Sequence, residues 1–271
     1  MASLVQTPQE ELLLKREASL AAMALGQGLT QVRNYNHAET GYFFNGMYSY
    51  CIGLERVLKI ICVYDHRLSN QNRFPSNEVL KRFSHGLDNL LNHAQGIVRD
   101  RTLPITSSIF SDQLIPKIVN WLTDFARTTR YYNLDTLTGR SHPTNEPLTR
   151  WETEICSEIV SRHYRPSTAR LQELEIVKSI LDPISYVQHT SGSGMQLNDV
   201  ASAVNESATV KVKQKFSTYY LYCISRFACQ VLVELEYAGG FFPTLREFFP
   251  LLTSEDRSWI LARKTWNPYK L

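Results

Sequence analysis

The sequence lacks the motifs that mark the common enzyme mechanisms. It contains no GxxxxGK(S/T) phosphate loop, no GxGxxG segment after a strand, no HExxH pair and no GxSxG nucleophile turn. The glycine-rich pieces at 192–194 and 239–240 lack the strand-to-helix setting of a phosphate-binding loop. None of the seven histidines is spaced i, i+4 as a helical metal pair would be. We therefore expect no metal and no cofactor.

Paired cysteines and long uncharged apolar runs are also missing. The five cysteines are scattered and form no CxxC pair, so we expect buried free thiols in a reducing compartment. The most apolar run, 48–64, contains Glu55, Arg56 and Lys59, whereas a membrane span needs about 20 nearly uncharged residues. The first residues show no signal-peptide pattern. These features predict a cytoplasmic protein without membrane association.

The 271 residues are 43% hydrophobic and carry 29 basic and 26 acidic side chains, a net charge of +3. That length can bury a large core without disulfides, and the composition excludes collagen-like, disordered and disulfide-scaffold proteins. The mild basic excess is compatible with a local patch for an anionic ligand.

Helix start signals and helical apolar spacing dominate the chain, and convincing alternating strands are absent. We predict an all-α bundle of about eight to ten helices in a single domain, residues 1–271. The predicted helices lie at about 8–28, 38–64, 76–96, 111–130, 149–163, 171–181, 209–237, 244–249 and 254–263. The loops at 133–148 and 188–206 are long for a compact bundle, which is typical of functional or mobile segments.

The predicted helix 76–96 carries a pair of groups suited to phosphate chemistry. Its apolar residues form one stripe, which leaves Arg82 and His85 on the opposite face, one turn apart. In a metal-independent site, the histidine would exchange a proton while the arginine neutralises a phosphate. A solvated helix face has the same pattern, so both interpretations stay open.

Glu55 and Lys59 are i, i+4 partners in the apolar part of the predicted helix 38–64. They either form an internal ion pair that fixes the helix register, or Glu55 orients a basic side chain of the neighbouring helix. A carboxylate within about 4–6 Å would hold His85 protonated.

A basic and aromatic cluster closes the predicted helix 111–130. Arg127, Arg130, Tyr131 and Tyr132 could bind nucleic acid, the arginines gripping phosphates while the tyrosines stack on bases. The same sequence pattern is expected if the arginines only complement the negative end of the helix dipole. Two further basic groups either extend an RNA path or are scattered surface charge; they comprise Lys211, Lys213 and Lys215, and Arg162, His163, Arg165 and Arg170.

The segment 48–65, YSYCIGLERVLKIICVYD, followed by Phe74-Pro75 and by FSHGLDNLL at 83–91, resembles helical proteins of the HEPN superfamily. There, a helix with a Gly-x-Glu-x-x-x-Lys element precedes a helix with a Gly-His-Asp-Leu-like stretch, which stands here as His85-Gly86-Leu87-Asp88. The resemblance implies a HEPN-like core at about 38–132 and a C-terminal helical extension at about 149–271. It also implies a homodimer acting in prokaryotic antiviral defence, abortive infection or toxin–antitoxin systems, with a protein partner or antitoxin.

Many members of that superfamily are metal-independent ribonucleases, whose Arg and His are separated by four to six residues and meet across a dimer cleft. The nearest pairs here are Arg82–His85, with two residues between, and Arg33–His37, with three. Two functions are therefore expected. In an endoribonuclease, Arg82 binds the phosphate, His85 is the acid or base and Glu55 orients it, and the 2′-hydroxyl attacks the adjacent phosphate. A non-catalytic subunit would instead bind RNA, a nucleotide or a protein through the same helices.

Overall fold

The computed structural model describes residues 8–36, 39–82, 86–106, 108–141, 144–181, 189–190 and 196–268. The helices of this part, in chain order, are α1 Gln9–Asn34, α2 Thr40–Ser69, α3 Asn77–Arg82, α4 Leu87–Asp100, α5 Leu114–Arg127, α6 Tyr132–Leu137, α7 Pro147–Arg150, α8 Ser157–His163, α9 Thr168–Ile180, α10 Val200–Gly239 and α11 Arg257–Ala262. A π-helical segment, Trp151–Cys156, joins α7 to α8. Two short strands, β1 His189–Thr190 and β2 Gln196–Leu197, pair antiparallel. The predicted all-α bundle is confirmed.

Helices α1 and α2 form the most extensive contact of the described fold. Their backbones approach closely because two glycines leave no side chain between them. A Cβ placed on Gly53 of α2 would lie 2.7 Å from the backbone nitrogen of Leu25, and one on Gly28 of α1 would lie 2.7 Å from that of Tyr50. Real Cβ atoms do not come this close to backbone, so the crossing is specific for glycine.

Helix α10 packs across this pair and is tied to α2 by a buried hydrogen-bond network. The Tyr50 hydroxyl donates to the Leu221 carbonyl at 2.7 Å and accepts from the Ser225 hydroxyl at 3.1 Å. Because Tyr50 and Ser225 are fully buried, each polar group has a partner inside the core, as burial requires.

Aromatic rings join α2 to α5 and to the helical run 147–163. The Phe43 ring lies 5.6 Å from Trp121 and 6.0 Å from Trp151, and the two indoles are 4.9 Å apart. The Trp121 indole also donates to the Pro147 carbonyl at 3.0 Å. These three fully buried rings fix α5 against α2.

Most predicted helices are confirmed, with shifted ends. Helix α1 continues to Asn34 and α2 to Ser69. The predicted loops at 133–148 and 188–206 are partly wrong, since α6 lies in the first and α10 begins at Val200 in the second.

The predicted continuous helix 76–96 is wrong. Helix α3 ends at Arg82 and α4 begins at Leu87, and Gly86 between them has an extended backbone, with φ −82° and ψ 115°. Likewise, the predicted helix 111–130 ends at Arg127, and a 3₁₀ turn, Thr129–Tyr131, follows it.

The expected free thiols are confirmed, because all five cysteines are buried and unpaired to one another. Burial raises the pKa of the Cys62 thiol to about 12, so this thiol is protonated at neutral pH. None of the described helices combines the length and apolar character that crossing a bilayer requires.

Gly53→Ala should destabilise the protein by about 1–3 kcal/mol, because its methyl group overlaps the α1 backbone. Gly41→Ala is the matched control, since a Cβ at that position of α2 meets nothing within 4 Å. The control should leave stability unchanged or raise it by up to about 1 kcal/mol. Urea unfolding followed by circular dichroism measures both, and equal midpoints for the two variants would contradict the proposed crossing.

Candidate functional site

The first turn of α4 is fixed against both α5 and α2. The Asp88 backbone nitrogen donates to the Thr123 hydroxyl at 3.1 Å. On the preceding residue of α5, the Leu122 carbonyl lies 3.8 Å from the Cys51 sulfur of α2. The start of α4, the last turns of α5 and the Cys51 turn of α2 therefore meet at one place.

The opposite end of α4 is held by an ion pair to the end of α2. Arg101 Nε lies 2.6 Å from Asp65 Oδ1, and Nη2 donates to the Asp65 carbonyl at 3.0 Å. Since α4 starts against the part of α5 that meets Cys51 and ends against Asp65, it runs along α2 in the same direction. The Gly86 end of α4 therefore faces the middle of α2, where Cys51 and Glu55 follow each other by one turn.

The guanidinium of Arg127 lies directly against Gly86. A Cβ built on Gly86 would overlap Arg127 Nη2 and would lie 2.8 Å from its Cζ. Glycine is therefore required at residue 86 for Arg127 to take this position. The exposed side chain of Arg127 thus reaches from the end of α5 to the residue that follows His85 in the sequence.

Asp88 contributes a carboxylate oxygen at the same point. Its Oδ1 would lie 2.6 Å from a Gly86 Cβ, so it faces the space beside Gly86 that the guanidinium also occupies. This oxygen is buried, and no described atom donates a hydrogen bond to it. A buried acceptor without a donor is costly, which makes this corner the least satisfied part of the α4–α5 junction.

An aromatic groove of about 260 Å³ lies on the far side of the α5 terminus. Its lining consists of Phe44, Tyr48, Thr129, Tyr131, Tyr132, Asn133 and Leu134. The ring of Tyr48, which lines the groove, packs 5.0 Å from the buried ring of Phe125. One wall of the groove is therefore held by the core. The Tyr131 side chain is 57% exposed, so its ring is accessible to a ligand.

Glu55 forms the predicted ion pair with Lys59. The Lys59 ammonium lies 2.6 Å from Glu55 Oε1, and the two side chains are 33% and 24% exposed. The predicted partial burial is confirmed.

The structure does not describe the side chains of two predicted catalytic residues, Arg82 and His85. The backbone of Arg82 ends α3, but its side chain and the whole of His85 lie outside the described part of the structure, as does the side chain of Arg130. The helix that Arg82 and His85 were predicted to share is interrupted at Gly86. The continuous helix is therefore wrong, whereas the placement of Arg82 and His85 one turn apart stays a prediction, because residues 83–85 lie outside the described part of the structure.

The contact between Arg127 and Gly86 could not be predicted from the sequence. The sequence pattern assigned Arg127 to a nucleic-acid cluster with Tyr131 and Tyr132, and the structure brings it to Gly86 as well. The only local signal is the glycine itself, which stands at residue 86 just before a helix.

Lys213 does not belong to a basic surface, contrary to one interpretation of the 211–215 segment. Its side chain is 12% exposed, and its ammonium lies 2.9 Å from Glu152 Oε2 and 2.8 Å from Glu206 Oε1. Burial disfavours the ammonium form, but the two carboxylates outweigh it and raise the pKa of Lys213. The lysine therefore links α10 to the π-helical segment.

Comparison of the chain with protein-family models, with curated proteins and with solved structures finds no match.

Lys213→Met should destabilise the protein by about 3–5 kcal/mol at pH 7, because it leaves two carboxylates without their shared cation. Lys211→Met, at an exposed position of the same helix, is the control. Thermal unfolding at pH 7 measures the effect, and equal losses in the two variants would contradict a buried triad.

Proposed function

We propose that this chain is a HEPN-like, metal-independent endoribonuclease of a prokaryotic antiviral defence or toxin–antitoxin system. The observation that supports it is the contact of the Arg127 guanidinium with Gly86, the residue next to His85. This contact offers a second arginine for the site, whereas the sequence pattern offered only Arg82. The proposal assigns phosphate binding to Arg127 and proton transfer to His85.

The chemistry needs only groups of the chain and the RNA. His85 takes the proton of a ribose 2′-hydroxyl as its oxygen forms a bond to the adjacent phosphorus, and the bond from phosphorus to the 5′-oxygen breaks. The leaving 5′-oxygen takes a proton from a water molecule, and His85 returns the proton it took to solvent, so the products carry a 2′,3′-cyclic phosphate and a 5′-hydroxyl. Arg127 neutralises the charge that develops on the phosphate oxygens.

The location of Glu55 also fits this assignment. It lies on α2 one turn beyond Cys51, on the segment that faces the start of α4. A carboxylate that accepts from one imidazole N–H fixes the ring orientation and the tautomer, which leaves the other ring nitrogen free to take a proton. We therefore keep Glu55 as the positioning residue for His85.

A non-catalytic RNA-binding subunit is the second candidate, and the aromatic groove favours it. Tyr131 and Tyr132 line a concavity that follows the end of α5, and aromatic faces bind the bases of single-stranded nucleic acid by stacking. This arrangement binds RNA whether or not His85 transfers a proton.

Cleavage of a labelled RNA in the presence of EDTA separates these functions. We expect the wild type to cut, His85→Ala to lose at least about 100-fold in rate, and Arg127→Ala to lose more than Arg82→Ala. Arg140→Ala is the control for the loss of a positive charge, because Arg140 is an exposed arginine just after α6. A 2′-deoxy substrate should not be cut, because it lacks the nucleophile.

An inactive wild type, or equal cleavage by the wild type and His85→Ala, would remove the ribonuclease and leave the binding subunit. A loss on Arg82→Ala that exceeds the loss on Arg127→Ala would return the phosphate role to Arg82.

Gly86→Ala tests the contact itself, because the added methyl group displaces the Arg127 guanidinium. We expect RNA affinity to fall about as much as in Arg127→Ala, measured by fluorescence anisotropy with a non-cleavable 2′-deoxy-substituted strand. Gly96→Ala on the same helix is the control, since its nearest neighbour is the end of the flexible Arg99 side chain at 3.9 Å. Unchanged affinity in Gly86→Ala would contradict a role for Arg127 at this position.

Tyr131→Ala should weaken RNA binding about 5- to 100-fold if its ring stacks on a base. Tyr237, which is 60% exposed against 57% for Tyr131, provides a matched tyrosine on α10. Tyr237→Ala should leave the affinity unchanged. The same anisotropy titration measures both variants, and equal losses would show that the groove is not used.

A further inference from the structure

A second cluster of arginines lies at the other end of α5, where α8, α10 and α11 meet. We call it the C-terminal arginine surface and define it by His163, Arg165, Phe216, Tyr219, Arg226 and Arg257. Unlike Lys213, its arginines at 165, 226 and 257 have no carboxylate within 4 Å among the described residues. Arg165 donates to the Ser161 and Tyr164 carbonyls, and Arg226 donates to the Ser254 carbonyl at 3.3 Å.

The aromatic rings of this surface are rigidly placed. The His163 ring stacks on Phe216 with centroids 3.6 Å apart and planes 3° from parallel. Its Nε2 lies 3.1 Å from the Tyr220 hydroxyl. The exposed Arg257 guanidinium lies over the Tyr219 ring, 5.3 Å from the centroid. The arginines therefore project from a fixed floor.

Cationic side chains outnumber carboxylates around His163. They are Arg162 from the last turn of α8, Arg165 just after that helix and Arg257 from α11, opposed by Asp112 from the segment before α5. Arg162 is already paired with Asp112 at 2.7 Å and with Glu158 of α8. Burial, then Arg257 and Arg162, lower the pKa of His163, and Asp112 opposes them.

Arg226 adds an unsatisfied donor. Its Nε is buried and has no hydrogen-bond partner in the described structure. Arg226 donates to the carbonyl of Ser254, three residues before Arg257, and Arg257 lies over the ring of Tyr219, two helical turns before Arg226 on α10. Both arginines therefore lie along the same stretch of α10. Guanidinium groups gathered without carboxylates are suited to oxygen atoms of a bound anion, above all phosphate.

We propose that the C-terminal arginine surface binds a phosphate group, with Arg257 and Arg226 as the main donors and Arg165 at the rim. The phosphate belongs either to a free small anion or to a nucleic acid strand, and both present the same oxygens. This site is separate from the α4–α5 junction and does not depend on the proposed ribonuclease function.

Titration of His163 by NMR tests the proposal, with inorganic pyrophosphate and a short DNA strand lacking terminal phosphates as separate probes. A bound anion adds negative charge beside the imidazole, so it should raise the pKa of His163. Binding of the DNA strand, whose phosphodiesters keep their charge, should be tighter at pH 5.5 than at pH 8. Arg257→Gln should weaken binding about tenfold or more. Arg16→Gln, an exposed arginine of α1, should leave it unchanged.

Binding of pyrophosphate alone identifies a small-anion site, and binding of the DNA strand identifies a strand contact. No change at His163 with either probe would overturn the proposal, as would binding that survives both Arg257→Gln and Arg226→Gln. Circular dichroism of the variants establishes that they fold. Since Arg127→Ala and His85→Ala leave this surface intact, failure of the ribonuclease proposal would not alter these results.

Discussion

The close crossing of α1 and α2 is the constraint on which the remaining structure depends. Gly53 and Gly28 bring the two backbones together, and this fixes the rotation of α2 about its own axis. Because that rotation is fixed, Tyr50 points toward α10 and bonds to Leu221. The same rotation turns Cys51 toward Leu122 of α5. The position of the candidate site is therefore decided by a helix contact to which the site residues contribute nothing.

The sequence predicts the features that depend on neighbouring residues. Helix starts and apolar spacing are local, and they predicted the all-α architecture and the Glu55–Lys59 pair correctly. The break at Gly86 could not be predicted in this way, because the guanidinium of Arg127 that lies against this glycine comes from α5, which is distant in the sequence. A helical apolar stripe continues across the break, so periodicity alone favoured one helix.

Which cations pair with carboxylates could not be predicted from the sequence either, because the partners come from distant segments of the chain. In the sequence, Lys213 stands between two other lysines, whereas Arg257 directly follows Glu255 and Asp256. In the fold the order is reversed, since Lys213 meets Glu152 and Glu206. Arg257 instead lies over the Tyr219 ring, with no carboxylate of the described residues within 4 Å. The net charge of +3 conceals this difference, because it does not record which cations are neutralised. Function follows from the uncompensated groups, and these are identified by tertiary contacts.

Helix α5 also sets the relation between the two arginine clusters. Its start is bonded to Asp112, which pairs with Arg162 beside the C-terminal arginine surface. Its last residue is Arg127, at Gly86. Fourteen helical residues separate these ends by about 21 Å, and the rings of Trp121 and Trp151 hold the helix rigidly against the core. A single phosphate group spans only a few ångströms and can reach one cluster alone, whereas an extended polyanion of several nucleotides is long enough to contact both.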